Sequence, residues 1–287
     1  MSVVERGTPR VAFQGERGAF SEEAGLRLLG AQAETVPRLT FESLFAAIRE
    51  GAADAILAPV ENTLAGSVHR CYDLLLESDL CIVAEVVHPI AHFLIGVPGA
   101  RVEDVRSVES HPVALAQCEN FFVRHPGIRR VPAEDTAGSV RVVVQAGDIA
   151  RAAIASIRAA QVYGGTVLGE HLEDHRDNYT RFLLLRRARE ASEPIPGANK
   201  LSLVLQLAHK PGSLCGALGV FAERNINLLR IESRPVTGKP WEYMFYLDLA
   251  ASLTEESTQT ALRELSQHTT QMRVLGCYTA AETPARK

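Results

Sequence analysis

Between Arg186 and Asn199 the chain reads RRAREASEPIPGAN, a charge run that gives way to two prolines and a glycine. Proline withholds a backbone donor and glycine has no side chain to pack, so this stretch reads as a linker that divides the chain. The part beyond it has a sharp pattern. KLSLVLQLA alternates, which sets Leu201, Leu203, Leu205 and Leu207 on one face of a strand. PGSLCGALGVFAERN carries Leu214, Leu218 and Phe221 at helical spacing, and TEESTQTALRELSQH predicts a second helix. INLLRIESRP, WEYMFYLDLA and MRVLGCY read as strands. The order βαββαβ predicts a ferredoxin-like domain, a fold that by itself implies no chemistry.

Before the linker, strands and helices alternate. RVAF (10–13) and DAILAPV (54–60) predict buried strands, the second stopping at a polar loop. SEEAGLRLLG predicts a helix with Ser21 as cap and Glu22 and Glu23 in the first turn, where the helix dipole favours anions. TFESLFAAIREG predicts another, with Phe41, Leu44, Phe45 and Ile48 on one face and Gly51 at its end. A helix is expected over 67–76 and strands near 82–87 and 92–97, while HPVALAQCENFFVRH predicts a helix after Pro112 with Ser110 as cap. AAIASIRAAQVYG divides between strand and helix. This alternation predicts a mostly parallel or mixed sheet flanked by helices, with a ligand crevice outside the carboxyl ends of strands.

At 287 residues, 46% of them apolar and 22% charged, the chain has the material for one large or two ordinary domains. Its net charge of -4, with both signs interleaved, offers no basic footprint for nucleic acid or an anionic membrane. No segment reaches the apolar length of a membrane span, and MSVVERGTPRVAF lacks the pattern of a secretory signal, so the cytosol is the expected compartment. The five cysteines are odd in number and form no C-x-x-C pair, which predicts small buried apolar residues rather than disulfides or a zinc site. Without a secretory route, Asn178-Tyr179-Thr180 is not read as a glycosylation acceptor. Polar residues at the mouth of the apolar run Phe182–Leu185 point instead to chemistry at the end of a strand.

Four polar clusters share that kind of position: QGERGAFS (14–21), VENTLAGS (60–67), ESHPVALAQC (109–118) and DNYTRF (177–182). The first has neither G-x-G-x-x-G nor G-x-x-x-x-G-K-[ST], leaving an anion pocket of backbone N–H groups at a helix start, or a glycine turn that only caps the helix. Glu61, Asn62 and Thr63 fit turn chemistry as well as ligand binding. Ser110 and Gln117 could face a ligand, although no G-x-S-x-G elbow supports a hydrolase serine. The pairs His88/His92 and His171/His175 lack H-E-x-x-H and read as core or surface histidines.

Taken in order, VAFQGERGAFSEEAG, APVENTLAGSVHRCYDLL, ESHPVALAQCENFF, NYTRFLLL and GSLCGALGVFAERNINLLRIESRP resemble prephenate dehydratase with a carboxy-terminal ACT domain. The resemblance implies an α/β fold with a catalytic domain over 8–187, a linker over 188–199 and a ferredoxin-like ACT regulatory domain over 200–280. The catalytic domain would have two lobes, similar to a type 2 periplasmic binding protein, with the site in the cleft. It implies decarboxylation and dehydration of prephenate to phenylpyruvate, for L-phenylalanine synthesis, with no metal or organic cofactor. It also implies a cytoplasmic homodimer or homotetramer, inhibited by L-phenylalanine at an ACT interface. By motif, Thr180 is the family's essential threonine and Asn62 and Gln117 its implicated neighbours. The same motifs offer Gly18, Ala19, Phe20, Ser21, Glu61, Thr63, Ser110, His111, Asn178, Arg181 and Phe182 as substrate contacts. The effector motifs fall on Gly212-Ser213-Leu214-Cys215 and Glu232-Ser233-Arg234-Pro235; the first is usually Gly-Ala-Leu-Val, so Ser213 and Cys215 depart from it.

That chemistry asks little of a protein. Losing carbon dioxide and a C4 hydroxyl makes an aromatic ring, so a hydrogen-bond donor at the leaving oxygen suffices, and Thr180 can supply it. Arg181 and the N–H groups around Gly18 to Ser21 are candidates for gripping one carboxylate, while Phe20 and Phe182 could withhold water from the other. In a regular strand Thr180 and Arg181 point to opposite faces, so only one of them enters the site. Two alternatives stand beside this reading. HRCYDLLLESDLCIVAEV and AIASIRAA also resemble arogenate dehydratase, and a non-catalytic amino-acid sensor would share the fold, although Thr180, Asn62 and Gln117 together argue against it.

Overall fold

The computed structural model describes residues 9–190, 194–236 and 238–284. From the amino terminus the chain forms β1 (Arg10–Gln14), α1 (Phe20–Leu29), β2 (Glu34–Arg38), α2 (Phe41–Arg49), β3 (Ala55–Asn62), β4 (Gly66–Ser67), α3 (His69–Glu77) and β5 (Leu80–Pro89). Next come β6 (Phe93–Gly96), β7 (Ser107–Ser110), α4 (Pro112–Ala116), α5 (Glu119–Arg124), β8 (Arg129–Pro132), α6 (Thr136–Ala146), β9 (Arg151–Ala155), α7 (Ile157–Tyr163), β10 (Thr166–Gly169) and β11 (Tyr179–Arg187). The remainder gives β12 (Lys200–Leu207), α8 (Ser213–Ala222), β13 (Asn227–Val236), β14 (Lys239–Ala250), α9 (Glu256–His268) and β15 (Thr269–Tyr278).

These strands make three sheets, ordered β2-β1-β3-β11-β5 with β4 on β3, then β10-β6-β9-β7-β8, and β13-β14-β12-β15. The described residues divide into two compact units, one of 9–76, Val86–Phe182 and 282–284, the other drawn from Glu77–Glu85 and the described residues between Leu183 and Ala281. Within the first unit, β1 runs parallel to β2 and β3, and β7 runs parallel to β8 and β9, whereas β6 and β10 are antiparallel. With β4 antiparallel to β3, both sheets are of the mixed α/β kind expected. Phe13 and Ala19, from the first sheet's side, pack into one core with Ile95, Ala153 and Val140 from the second.

Several local readings change. Ser21 lies inside α1, whose N-cap is Ala19 without a side-chain cap bond. The single helix expected after Pro112 is two short ones, and its cap is His111, not Ser110. The break follows from a distant carboxylate: Asp174 accepts from the amides of Glu119 (2.8 Å) and Asn120 (2.9 Å) and so starts α5 anew. Cys71 and Cys118 are buried as expected, and burial pushes the Cys71 thiol up to about 12, but Cys215 is exposed. Residues 188–199 were expected as linker; Ala188–Glu190 form a short 3-10 turn and 191–193 lie outside the described residues.

In the second unit β12, β13, β14 and β15 form an antiparallel sheet with α8 and α9, the βαββαβ order read from the sequence. Leu201, Leu203 and Leu205 point together into a core with Leu247, Leu249, Phe221, Ala261 and Leu265. On the other face of β12, Ser202 donates to Asp248 and shares a 2.7 Å bond with Tyr278, so the buried polar groups there are paired. Among the described residues no helix is long and apolar enough to cross a membrane.

Candidate active site

Because β3 and β11 are neighbours in one sheet, the end of β3 and the start of β11 meet. Thr63 ties them: its amide donates to the Tyr179 carbonyl (2.9 Å), and its hydroxyl donates to the Asp177 carbonyl (2.7 Å) while accepting from the Tyr179 amide (2.9 Å). That hydroxyl is therefore spent on structure. Asn62 stands beside it as the last residue of β3. The two hydrogens of its Nδ2 serve three acceptors, Asn178 Oδ1 (2.8 Å), Thr180 Oγ1 (3.0 Å) and the Tyr179 carbonyl (3.1 Å), one being shared, and its Oδ1 accepts from the amides of Leu64 (3.0 Å) and Ala65 (2.8 Å).

Those two backbone donors fix which way the Asn62 amide faces, since the flipped form would set an NH2 group against two N–H groups. The sense then propagates. Asn178 Oδ1 is an acceptor, so Asn178 Nδ2 donates to Gln117 Oε1 at 2.9 Å, and the same oxygen lies 2.9 Å from His92 Nε2. Asn178 is fully buried, while Asn62, Gln117 and Thr180 are half-buried and keep surface for a ligand. Thr180 Oγ1 accepts from Asn62, which leaves its own O–H proton to be donated outward.

The first polar cluster is less open than expected. Gly18 donates its amide to Glu22 Oε2 (2.7 Å) and Ala19 donates to the Glu16 carbonyl (3.1 Å), so neither is available to a substrate. The amides of Phe20 and Ser21, first in α1, have no intrahelical acceptor and can meet an anion. The Glu22 carboxylate also accepts from Thr35 Oγ1 (2.8 Å) and Arg158 Nε (2.7 Å). Burial alone would raise its pKa, but Arg158, the Gly18 amide and Thr35 together hold it below the usual glutamate range. Gly18 has no substitute here: its φ is +87°, and a methyl group would stand 2.7 Å from the Ala159 Cα.

Other expected contacts separate by burial. Phe182 is 2% exposed and belongs to the core, and Ser110, fully buried, donates to the Ile154 carbonyl at 2.6 Å. Both are structural here, because neither presents surface to a ligand. Glu61, His111 and Arg181 are half-buried, and Arg181, next to Thr180 on β11, projects from the opposite strand face. His92, read from sequence as a core or surface histidine, joins the amide chain; His88 instead pairs with Glu23 at 3.0 Å. Its spacing gave no sign of this.

A model of the family described as Prephenate dehydratase matches residues 11–190, and one of the ACT domain matches residues 202–267. The chain belongs to the prephenate dehydratase family. It is 43% identical over 287 residues to arogenate dehydratase/prephenate dehydratase 1, chloroplastic, of Arabidopsis thaliana, spanning 94% of this chain and 71% of that relative. Among solved structures it is similar to the prephenate dehydratase from Arthrobacter aurescens in complex with L-Phe, with a TM-score of 0.86, 31% identity, and coverage of 97% of this chain and 92% of that one. It is also similar to GqqA, described as a novel type of quorum quenching acylase, with a TM-score of 0.87, 35% identity, and coverage of 94% and 98%.

The ACT part of this dehydratase-family lyase carries its two motifs on α8 and β13. Gly212 takes φ +83° as the N-cap of α8, and Ser213 and Leu214 line a cavity of about 170 Å³ with His209, Lys210, Tyr243 and Phe245. Ser213 Oγ is buried there without a hydrogen-bond partner. Ser233 and Pro235 on β13 pair in register with Phe245 and Tyr243, so the second motif adjoins the same cavity wall. Glu232 and Arg234 alternate to the other face, where Arg230 lies 3.2 Å from Glu232.

Proposed function

We propose that the chain converts prephenate to phenylpyruvate, with Thr180 donating its hydroxyl proton to the departing C4 oxygen. The C–COO⁻ bond breaks, its electron pair enters the ring as the C4–O bond breaks, and the products are carbon dioxide, water and the aromatic keto acid, with solvent returning a proton to Thr180 Oγ1. The bond from Asn62 to Thr180 Oγ1 carries this reading, because it turns the threonine into a donor aimed away from the protein. The amides of Phe20 and Ser21 at the start of α1, and the Gln117 side chain, are the donors assigned to the substrate carboxylates.

Arogenate is the second reading, supported by relatives named for both substrates. Purified protein incubated with each substrate separately distinguishes them, by phenylpyruvate absorbance for prephenate and chromatographic phenylalanine for arogenate. Turnover of neither would sink the assignment. Acyl transfer, the activity in one neighbour's name, needs a nucleophile beside a base, whereas Thr180 Oγ1 faces the donor Asn62. L-phenylalanine acts as effector at the ACT cavity in this reading, with a coupling of roughly 1–3 kcal/mol to substrate binding. The edge strand β13 exposes Leu229 (46%) and Ile231 (42%), surface suited to a second copy, so the working form is a homodimer or a tetramer built from it. Light scattering coupled to size exclusion tests that; a monomer at assay concentration refutes it.

A further inference from the structure

We propose that His92 is a positioning residue for the dehydration, holding Gln117 through an Nε2–H bond so that the Gln117 amide nitrogen faces the ligand. The proposal rests on the reading of the Thr180 network as the active site. His92 is held through both its backbone and its ring. The His92 amide donates to Glu173 Oε2 (2.8 Å), its carbonyl accepts from the Leu172 amide (2.9 Å), and its ring meets the edge of Phe20 with centroids 5.6 Å apart. Only 2% of the residue is exposed.

The direction of the bond follows from the opposite end of the chain. The amides of Leu64 and Ala65 orient Asn62, Asn62 orients Asn178, and Asn178 Nδ2 takes one lone pair of Gln117 Oε1. The second lone pair faces His92 Nε2 at 2.9 Å, so that nitrogen must carry a hydrogen; the tautomer protonated only at Nδ1 would set two lone pairs against each other. With both sites on its oxygen filled, Gln117 has its NH2 group as its remaining polar face. Among the described residues that group makes no hydrogen bond, and Gln117 is half-buried. A two-donor amide is thereby presented on the same string of bonds as Thr180, suited to a substrate carboxylate or to the leaving oxygen.

The tautomer can be read without any variant. A ¹⁵N spectrum of histidine-labelled wild type at about pH 8, above the ordinary histidine value near 6.5, should show Nε2 protonated in a buried imidazole. An unprotonated Nε2 overturns the proposal. In kinetics, His92→Leu should lose about ten-fold in kcat/KM, the size of one lost hydrogen bond, and His92→Gln, which places a donor at similar reach, should recover most of it. In the Gln117→Ala background, His92→Leu should cost nothing further, because its effect passes through Gln117. Wild-type kcat/KM in His92→Leu, or full additivity of the two changes, refutes the role. Wild type that turns over neither prephenate nor arogenate strikes the proposed function instead, and the spectrum still reports on the bond.

Discussion

Asn62 donates its side-chain amide to the Thr180 hydroxyl oxygen at 3.0 Å, across 118 positions of sequence. Thr180 is half-buried and its oxygen accepts this bond, so the O–H proton stays free to be offered, in the proposed function, to a ligand. A threonine is a weak acid in water. Here its usefulness comes from orientation, with each neighbouring amide held by the next and no reorganisation left for the moment of reaction.

Thr180→Val keeps the shape and removes the proton. Turnover should fall by roughly 10²–10⁴-fold, the span of a lost general-acid contribution, with the unfolding midpoint nearly unchanged because the hydroxyl meets ligand space. Steady-state kinetics beside a thermal melt checks both. Near-normal turnover in the purified variant would remove Thr180 from the mechanism.

Asn62→Asp exchanges a donor for an acceptor with almost no change of volume. The new oxygen would face Asn178 Oδ1 and would draw the Thr180 proton to itself, away from the substrate. Turnover should drop by about 10²–10³-fold, comparable to losing one preorganised donor. Circular dichroism should report a folded protein, and wild-type kinetics would contradict the assigned sense of the amide.

Acid should unfold the chain through its depressed glutamates. Glu16 is held below the usual range chiefly by bonds from the Arg141 guanidinium, and Glu22 by the partners that outweigh its burial. A depressed folded pKa means that their stabilisation is complete above the ordinary glutamate value of about 4.3 and fades as pH falls through the lower folded value. Asp135 works in the opposite sense, since burial raises it and its contribution is lost as pH rises through its folded value. Melts recorded from about pH 3 to pH 7 should show midpoints that drop in acid, and Glu22→Gln should flatten that slope. An equal slope in the variant would place the acid-sensitive groups elsewhere.

Ser213→Ala tests the departure in the first effector motif. The hydroxyl is buried with no partner, so its removal should stabilise the effector-free protein by about 1 kcal/mol. Chemical denaturation measures it. A loss of stability of that size would mean that the hydroxyl is bonded in solution.

The ACT half was legible because its signals are local. Alternating leucines in β12 and the spacing of Leu214, Leu218 and Phe221 specify their faces without reference to distant residues. The first half was harder. TAGSVRVVVQA forms α6 although its valines are poor helix formers; Asp135, whose side chain accepts from the Gly138 amide, and packing of Val140 and Val143 in the core decide it. The helix after Pro112 ends at Ala116, and a second one starts because Asp174, far along the chain, draws the amides of Glu119 and Asn120. In the site, Thr180, Asn62 and Gln117 were readable through family resemblance, whereas Asn178 as the buried bridge and His92 as its terminus depend on contacts that no short motif encodes.

A side-chain amide is the one group that water converts to a carboxylate with no change of outline. In a string where every amide faces one way, such deamidation at Asn62 or Asn178 would replace a donor by an acceptor, silencing the site while leaving the fold standing. Chemical ageing and unfolding therefore become separate clocks for this molecule.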